Sequence, residues 1–294
     1  MPAIQLIQPS TVLHSGEAGP VDFAPFEWRF LAQGDSWFSF GSLLPWATSN
    51  LLNPLELKAS ACAVNCAVPG KELVHMVDAR RDPSFLNLLL GVFEMPWTAL
   101  LLSGGGNDLI DAIRTPFIDR HGKPVDPALR LLLTPAERGD PANADGYISE
   151  AGWATFEAHL VAQFHEFVAA RDDTRSQSRG VPIFCHSYDL VTPRNAGAGP
   201  NLGPWLWPAL NAYGVPDDPD IRIALARAFL ERLEVLLLTL DLPNLHVVPT
   251  QGILEPADAV SGPSHDWENE IHPNPGGYAK LAQRYGAAID AVLG

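Results

Sequence analysis

Short apolar runs alternate along this chain with segments of helical period, and that alternation limits the fold more than any other feature. Trp28 to Ala32, Ala59 to Val64, Trp97 to Leu102, Val181 to Cys185 and Leu245 to Val248 read as strands. Several are apolar on both faces, which suits parallel strands covered by helices on either side. Between them, Trp153, Phe156, Leu160, Phe164, Phe167 and Val168 recur at helical spacing behind Ser149 as N-cap. Leu225, Phe229, Leu233, Leu236 and Leu240 mark a second helix. A third follows Asn274 and Pro275, a cap and first-turn pair, with Tyr278, Leu281, Ala282, Tyr285, Ile289 and Val292 on one face. The pattern predicts one α/β domain over 1–294, a three-layer α/β/α arrangement around a parallel sheet of about five strands.

Two stretches fit neither period: Arg114 to Gly146, and Val191 to Pro219, which is rich in Pro, Gly and Trp. Both exceed the usual loop length and are expected as insertions capping the carboxyl edge of the sheet. A formal net charge of −15 opposes an extended phosphate-binding surface, so nucleic acid is not an expected partner. No uninterrupted apolar run reaches the roughly 18 residues of a membrane span, and the amino terminus lacks a basic start followed by a long apolar stretch. The default expectation is therefore a soluble cytoplasmic protein, with no oligomeric state specified. Cys62, Cys66 and Cys185 are odd in number and read as buried thiols.

Three segments carry residue types suited to chemistry. The first strand runs into Gly34, Asp35, Ser36 and Trp37, placing a serine just past a strand's carboxyl end, where open parallel sheets collect ligands. Taken alone, Ser36 reads as readily as the cap of the next helix. After the third strand come Ser103, Gly104, Gly105, Gly106, Asn107 and Asp108, either a tight strand-to-helix turn or a place where backbone and a side-chain amide approach a ligand closely. Near the end, Asn269, Glu270, Ile271, His272, Pro273 and Asn274 hold a histidine against a proline just before a helix. A nucleophile, an oxyanion donor and a base following successive strands would converge at one sheet edge, which independent capping residues need not do.

In that order these blocks resemble the SGNH, or GDSL-type, hydrolases. GDS at Gly34 to Ser36 resembles the family's first block, NCAVPG at Asn65 to Gly70 the second, GGND at Gly105 to Asp108 the third, and His272 with Pro273 the last. The resemblance implies a flavodoxin-like sheet order, 2-1-3-4-5. It further implies that Ser36 attacks an ester carbonyl while His272 takes its proton, and that the backbone N–H groups of Ser36 and Gly70 with the Asn107 amide form the oxyanion hole. No metal or organic cofactor is implied. The G-x-S-x-G elbow of α/β-hydrolases occurs nowhere in the chain.

One position departs from the family pattern. Aspartate normally stands three residues before the histidine, and here that residue is Asn269. Its amide oxygen could accept the imidazole N–H but supplies no negative charge. Three arrangements follow: Asn269 orients His272; a backbone carbonyl, Asp266, Glu268 or Glu270 does so; or turnover is slow. The first is taken forward.

The fourth strand ends in Cys185, His186, Ser187, Tyr188 and Asp189, which read either as a hydrogen-bonded turn or as pocket lining; His186 and Tyr188 are taken forward as lining the substrate pocket, with a role for His186 behind the first layer as the alternative. Trp205, Trp207 and Tyr213 would either form an aromatic wall or pack a long loop. No metal site is expected: there is no His-Glu-x-x-His, and His159 and His165 read as structural. The expected activity is hydrolysis of a small-molecule or carbohydrate ester through an acyl-enzyme. An acyltransferase using the same serine and a weakly active ester-binding relative are the alternatives.

Overall fold

The structure is a computed structural model that describes residues 1–14, 20–39, 49–139, 141 and 143–294. Six parallel strands form one sheet with helices on both sides, the expected α/β arrangement. The strands are β1 (Gln5–Ile7), β2 (Trp28–Gly34), β3 (Ala61–Asn65), β4 (Ala99–Ser103), β5 (Ile183–His186) and β6 (Leu245–Val248), in the order β1-β3-β2-β4-β5-β6. Leaving out β1, this is the flavodoxin-like order expected from the sequence. The extra edge strand β1 was not anticipated, because three residues with one buried side chain give no measurable period.

The inner strands consist of residues that can be buried on both faces. Every residue of β4 is buried, and Phe30, Leu31 and Ala32 of β2 are fully shielded. Chain order reverses at β2: the chain passes from β2 to β3 on one side and from β3 crosses over β2 to β4 on the other. Ligands of such sheets bind at the carboxyl ends flanking the reversal, where the loops diverge. Register aligns those ends: Ala32 pairs with Asn65 and Gly34 with Ser103.

The three long helices stand where their periodicity put them. Ser149 Oγ accepts the Gly152 N–H at 3.1 Å and caps Glu150–Arg171. Asn274 Oδ1 accepts the Gly277 N–H at 2.9 Å and caps Pro275–Leu293. Such caps contribute about 1 kcal/mol each. The helix Pro219–Leu238 stops before Leu240, because Pro243 turns the chain toward β6 and the residue before a proline avoids helical dihedrals. Val292, expected on a buried face, is 43% exposed in the last turn.

The two unassigned stretches contain short helices. The first, in which residues 140 and 142 lie outside the described residues, packs along the start of Glu150–Arg171, where Ser149 Oγ donates to Pro127 O at 2.7 Å. The second contains the helix Leu206–Ala212 and runs over the carboxyl edge of the sheet. They meet where Tyr213 Oη donates to Thr115 O at 2.5 Å and Arg138 donates to Tyr213 O at 2.9 Å. Cys62, Cys66 and Cys185 are buried and unpaired. No described helix is long and apolar enough to cross a membrane.

Candidate active site

β2 ends at Gly34, where a Cβ would come within 2.8 Å of the Ser103 Cβ, so glycine is what lets β2 and β4 converge. Asp35 follows, and its Oδ1 accepts the Trp37 N–H at 2.9 Å, capping the short helix Ser36–Ser39. Ser36 is thereby fixed at the first position of the helix, where its own N–H has no intrahelical acceptor. Its Oγ lies 2.8 Å from His272 Nε2.

His272 is held by its own loop. Asn269 Oδ1 accepts the N–H of Ile271 at 3.1 Å and of His272 at 3.0 Å, and stands 3.0 Å from His272 Nδ1. Backbone N–H groups only donate, so the atom they share is the amide oxygen. The imidazole nitrogen facing that oxygen therefore carries the proton, and Nε2 is left as acceptor for the Ser36 hydroxyl. Burial pushes the His272 imidazole down to about 3, keeping it neutral. Asn269 Nδ2 is buried with no hydrogen-bond partner among the described residues.

The neighbouring acids serve other groups. Asp266 Oδ2 accepts Lys280 Nζ at 2.5 Å and the Glu255 N–H at 2.7 Å. Burial alone would raise its carboxyl, and these bonds bring it below the ordinary value. The Glu270 carboxylate accepts backbone N–H groups from Arg194, Trp205, Leu206 and Trp207, which caps the helix Leu206–Ala212. Glu268 gives its backbone N–H to His272 O at 2.9 Å. Through Glu270 the long 191–219 stretch is fastened to the histidine loop, and the Trp205 ring meets the His272 ring edge to face at 5.1 Å. Trp207 lies beneath the Arg222 guanidinium and Tyr213 is buried between the two long stretches, so of these three aromatics Trp205 alone contacts His272.

Asn107, at the start of the helix Gly106–Arg114, faces the same cavity as Ser36 and donates Nδ2 to Lys71 O at 3.2 Å. An amide nitrogen has a second hydrogen, which remains for a ligand. Gly70 lies outside the cavity lining, on the exposed loop before Lys71, with a left-handed φ of 75°. That loop is anchored by a buried cluster that sequence spacing did not disclose. Lys71 Nζ pairs with Asp82 Oδ2 and approaches Gln33 Oε1 at 3.3 Å, while Gln33 Nε2 donates to Asp82 Oδ2 at 2.8 Å. The one available signal was Gln33, a lone amide following the apolar run Phe30 to Ala32.

Beneath the serine lies a second network. Tyr188 Oη donates to Asp35 Oδ2 at 2.6 Å and Ser103 Oγ to Asp35 Oδ1 at 2.7 Å. His186 Nδ1 accepts the Tyr188 N–H at 3.2 Å, so Nε2 carries the proton and donates to Ser103 Oγ at 2.9 Å. Burial pushes His186 down to about 3 and Asp35 up to about 6, the bonds from Tyr188, Ser103 and Trp37 opposing the rise in Asp35. His186 is thus placed behind the site, stacked on Trp37 with ring centroids 5.2 Å apart, and does not line the cavity. Tyr188 does line it. Its φ of 63° is strained for a non-glycine residue, a cost of about 1–3 kcal/mol that the Asp35 bond and the packing against Gly106 hold in place.

From Ser36 an apolar cavity of about 50 Å³ runs between the helices Gly106–Arg114 and Pro219–Leu238. His159 and His165 are exposed on the helix Glu150–Arg171.

No protein-family model matches the chain, and no curated protein matches it. Among solved structures, an extracellular lipase from Streptomyces rimosus is 13% identical, covering 90% of this chain and 99% of its own, with a TM-score of 0.47. A variant of an acetyl xylan esterase from Geobacillus stearothermophilus is 12% identical, covering 90% of this chain and 95% of its own, with a TM-score of 0.40. At such identities and TM-scores, chemistry has to be read from the side chains.

Proposed function

We propose that the chain is a serine hydrolase of the SGNH type that cleaves carboxylic esters through an acyl-enzyme. The observation that carries this reading is the 2.8 Å contact between Ser36 Oγ and His272 Nε2, with the opposite imidazole nitrogen held by Asn269. A serine hydroxyl is a weak nucleophile until a neighbouring base accepts its proton, and this tautomer supplies that base.

Ser36 Oγ attacks the ester carbonyl as its proton passes to His272 Nε2. The carbonyl oxygen gathers negative charge and is met by the second Asn107 N–H together with the N–H groups of Ser36 and Gly70. Collapse of this adduct expels the alcohol, which takes the proton from Nε2 and leaves the acyl group on Ser36. Water then attacks the acyl carbon, giving its proton to Nε2, and collapse releases the acid as Ser36 Oγ leaves and takes that proton back. Asn269 holds the tautomer throughout without opposing the imidazolium charge.

A panel of 4-nitrophenyl esters and sugar acetates, assayed with wild type and Ser36→Ala, tests the proposal. Wild type is expected to turn over at least one ester and the variant to lose roughly 10⁴-fold or more. Full activity in Ser36→Ala contradicts the mechanism. One observation favours a second reading, acyl transfer to an alcohol: Ser36 is 6% and His272 2% exposed, a shielded site that would slow attack by water. Product analysis with an added acceptor alcohol separates the two, since only transfer gives a new ester in excess of acid.

A further inference from the structure

The cavity beside Ser36 is one-sided. Ser36 and Asn107 line it, whereas His272 and Trp205 are not among its lining residues. In the reaction proposed above, the leaving alcohol takes its proton from His272 Nε2, so it must lie on the imidazole side. The opposite side, next to the oxyanion donor, is left for the acyl group.

The wall chemistry narrows that group further. Beyond the serine the lining is aliphatic or aromatic, with Ile110, Ile113, Ala226, Phe229 and Leu230 facing inward from two helices. Two carboxylates border it, and both are committed. Asp35 is bonded by Tyr188, Ser103 and the Trp37 N–H. Asp189 accepts the N–H groups of Leu190, Gly252, Ile253 and Leu254. An acyl group bearing hydroxyls or charge would lose its water there without finding partners. Size closes the question: a dry cavity of about 150 Å³ accommodates benzene, and this one is about 50 Å³.

We infer that this cavity receives the acyl part of the ester and that the acyl part is a short aliphatic chain, its length limited by Ala226 on one wall and by Ile110 and Phe229 on the others. The inference rests on the serine-hydrolase reading and adds to it the acid released. Apolar pockets discriminate by about 10–200-fold per methylene, so chain length should register strongly.

The test compares kcat/KM for 4-nitrophenyl acetate, butyrate and octanoate in wild type, Ala226→Leu, Ile110→Ala and Phe229→Ala, alongside fluorophosphonate labelling of each protein. Wild type should favour acetate or butyrate over octanoate by at least tenfold. Ala226→Leu should lower the butyrate-to-acetate ratio by tenfold or more. Either opening variant should raise the octanoate-to-acetate ratio by a similar factor. Ile110 is only partly buried, so its truncation keeps the test open if Phe229→Ala fails to fold. Chain-length ratios unchanged in all folded variants, with Ser36 still labelled, overturn the acyl pocket and leave the serine chemistry standing. Absence of both labelling and turnover in wild type overturns both.

Discussion

Asn269 Oδ1 stands 3.0 Å from His272 Nδ1 and at the same time accepts the backbone N–H groups of Ile271 and His272. This three-way acceptance ties the orientation of the imidazole to the conformation of its own loop. A serine triad with aspartate here would combine two services, tautomer control and a counter-charge. Asn269 supplies the first and, being neutral, not the second.

The missing charge has a signature in pH. With burial holding His272 down to about 3, the imidazole is neutral and able to accept the serine proton above that pH, and its contribution to activity is lost as pH drops through it. Asn269→Asp puts an anion beside the ring, favours the imidazolium and should raise the acid limb of kcat/KM by roughly 1–3 pH units. Asn269→Ala should lower kcat by about tenfold or more, while Asp266→Asn, whose carboxylate serves Lys280, should change little. A pH–rate series on the three variants checks this, and an acid limb indifferent to Asn269→Asp would detach Asn269 from the imidazole.

Asn107→Ala removes the side-chain donor proposed for the oxyanion. Loss of one such donor costs about 3 kcal/mol in the transition state, so kcat should fall 10²–10³-fold with little change in KM. Steady-state kinetics on the best ester decides it. Unchanged kcat would assign Asn107 to loop packing through Lys71 alone.

Much of this arrangement could be read from the chain before any coordinates, and the parts that could not share a cause. Strands buried on both faces must be apolar runs, so β2 to β5 and the long helices announce themselves, while β6 shows as a short run at the sheet edge and β1 is too short to show a period. Ser36, Asn107 and His272 were visible because each follows a structural element at a position where open sheets collect ligands. Gln33, Lys71 and Asp82 were not, since a polar cluster assembled from a strand, a loop and a helix cap has no spacing to detect. His186 illustrates a further limit: its place at a strand's carboxyl end was legible, but which way the ring turns depended on Ser103 and the Tyr188 N–H.

Breaking that hidden cluster should be costly. Lys71→Met leaves Asp82 buried without its counter-charge, which typically costs about 3–5 kcal/mol, and a Lys71→Met, Asp82→Leu pair should recover much of the loss. Urea unfolding measures both. The Lys71 backbone carbonyl holds Asn107 Nδ2, and the side-chain ties that place this loop are lost in both variants, so kcat should be depressed in the double variant even where stability returns. Recovery of both together would show the cluster to be a stabilising device with no bearing on the site.

The central claim is that the Ser36 hydroxyl, 2.8 Å from His272 Nε2, is an activated nucleophile. Reaction with a fluorophosphonate followed by peptide mass spectrometry tests it most directly. The account predicts a stoichiometric adduct on Ser36 in wild type and at least a hundredfold slower labelling in His272→Ala. An adduct on another residue, or none under conditions that label a control esterase, would contradict it.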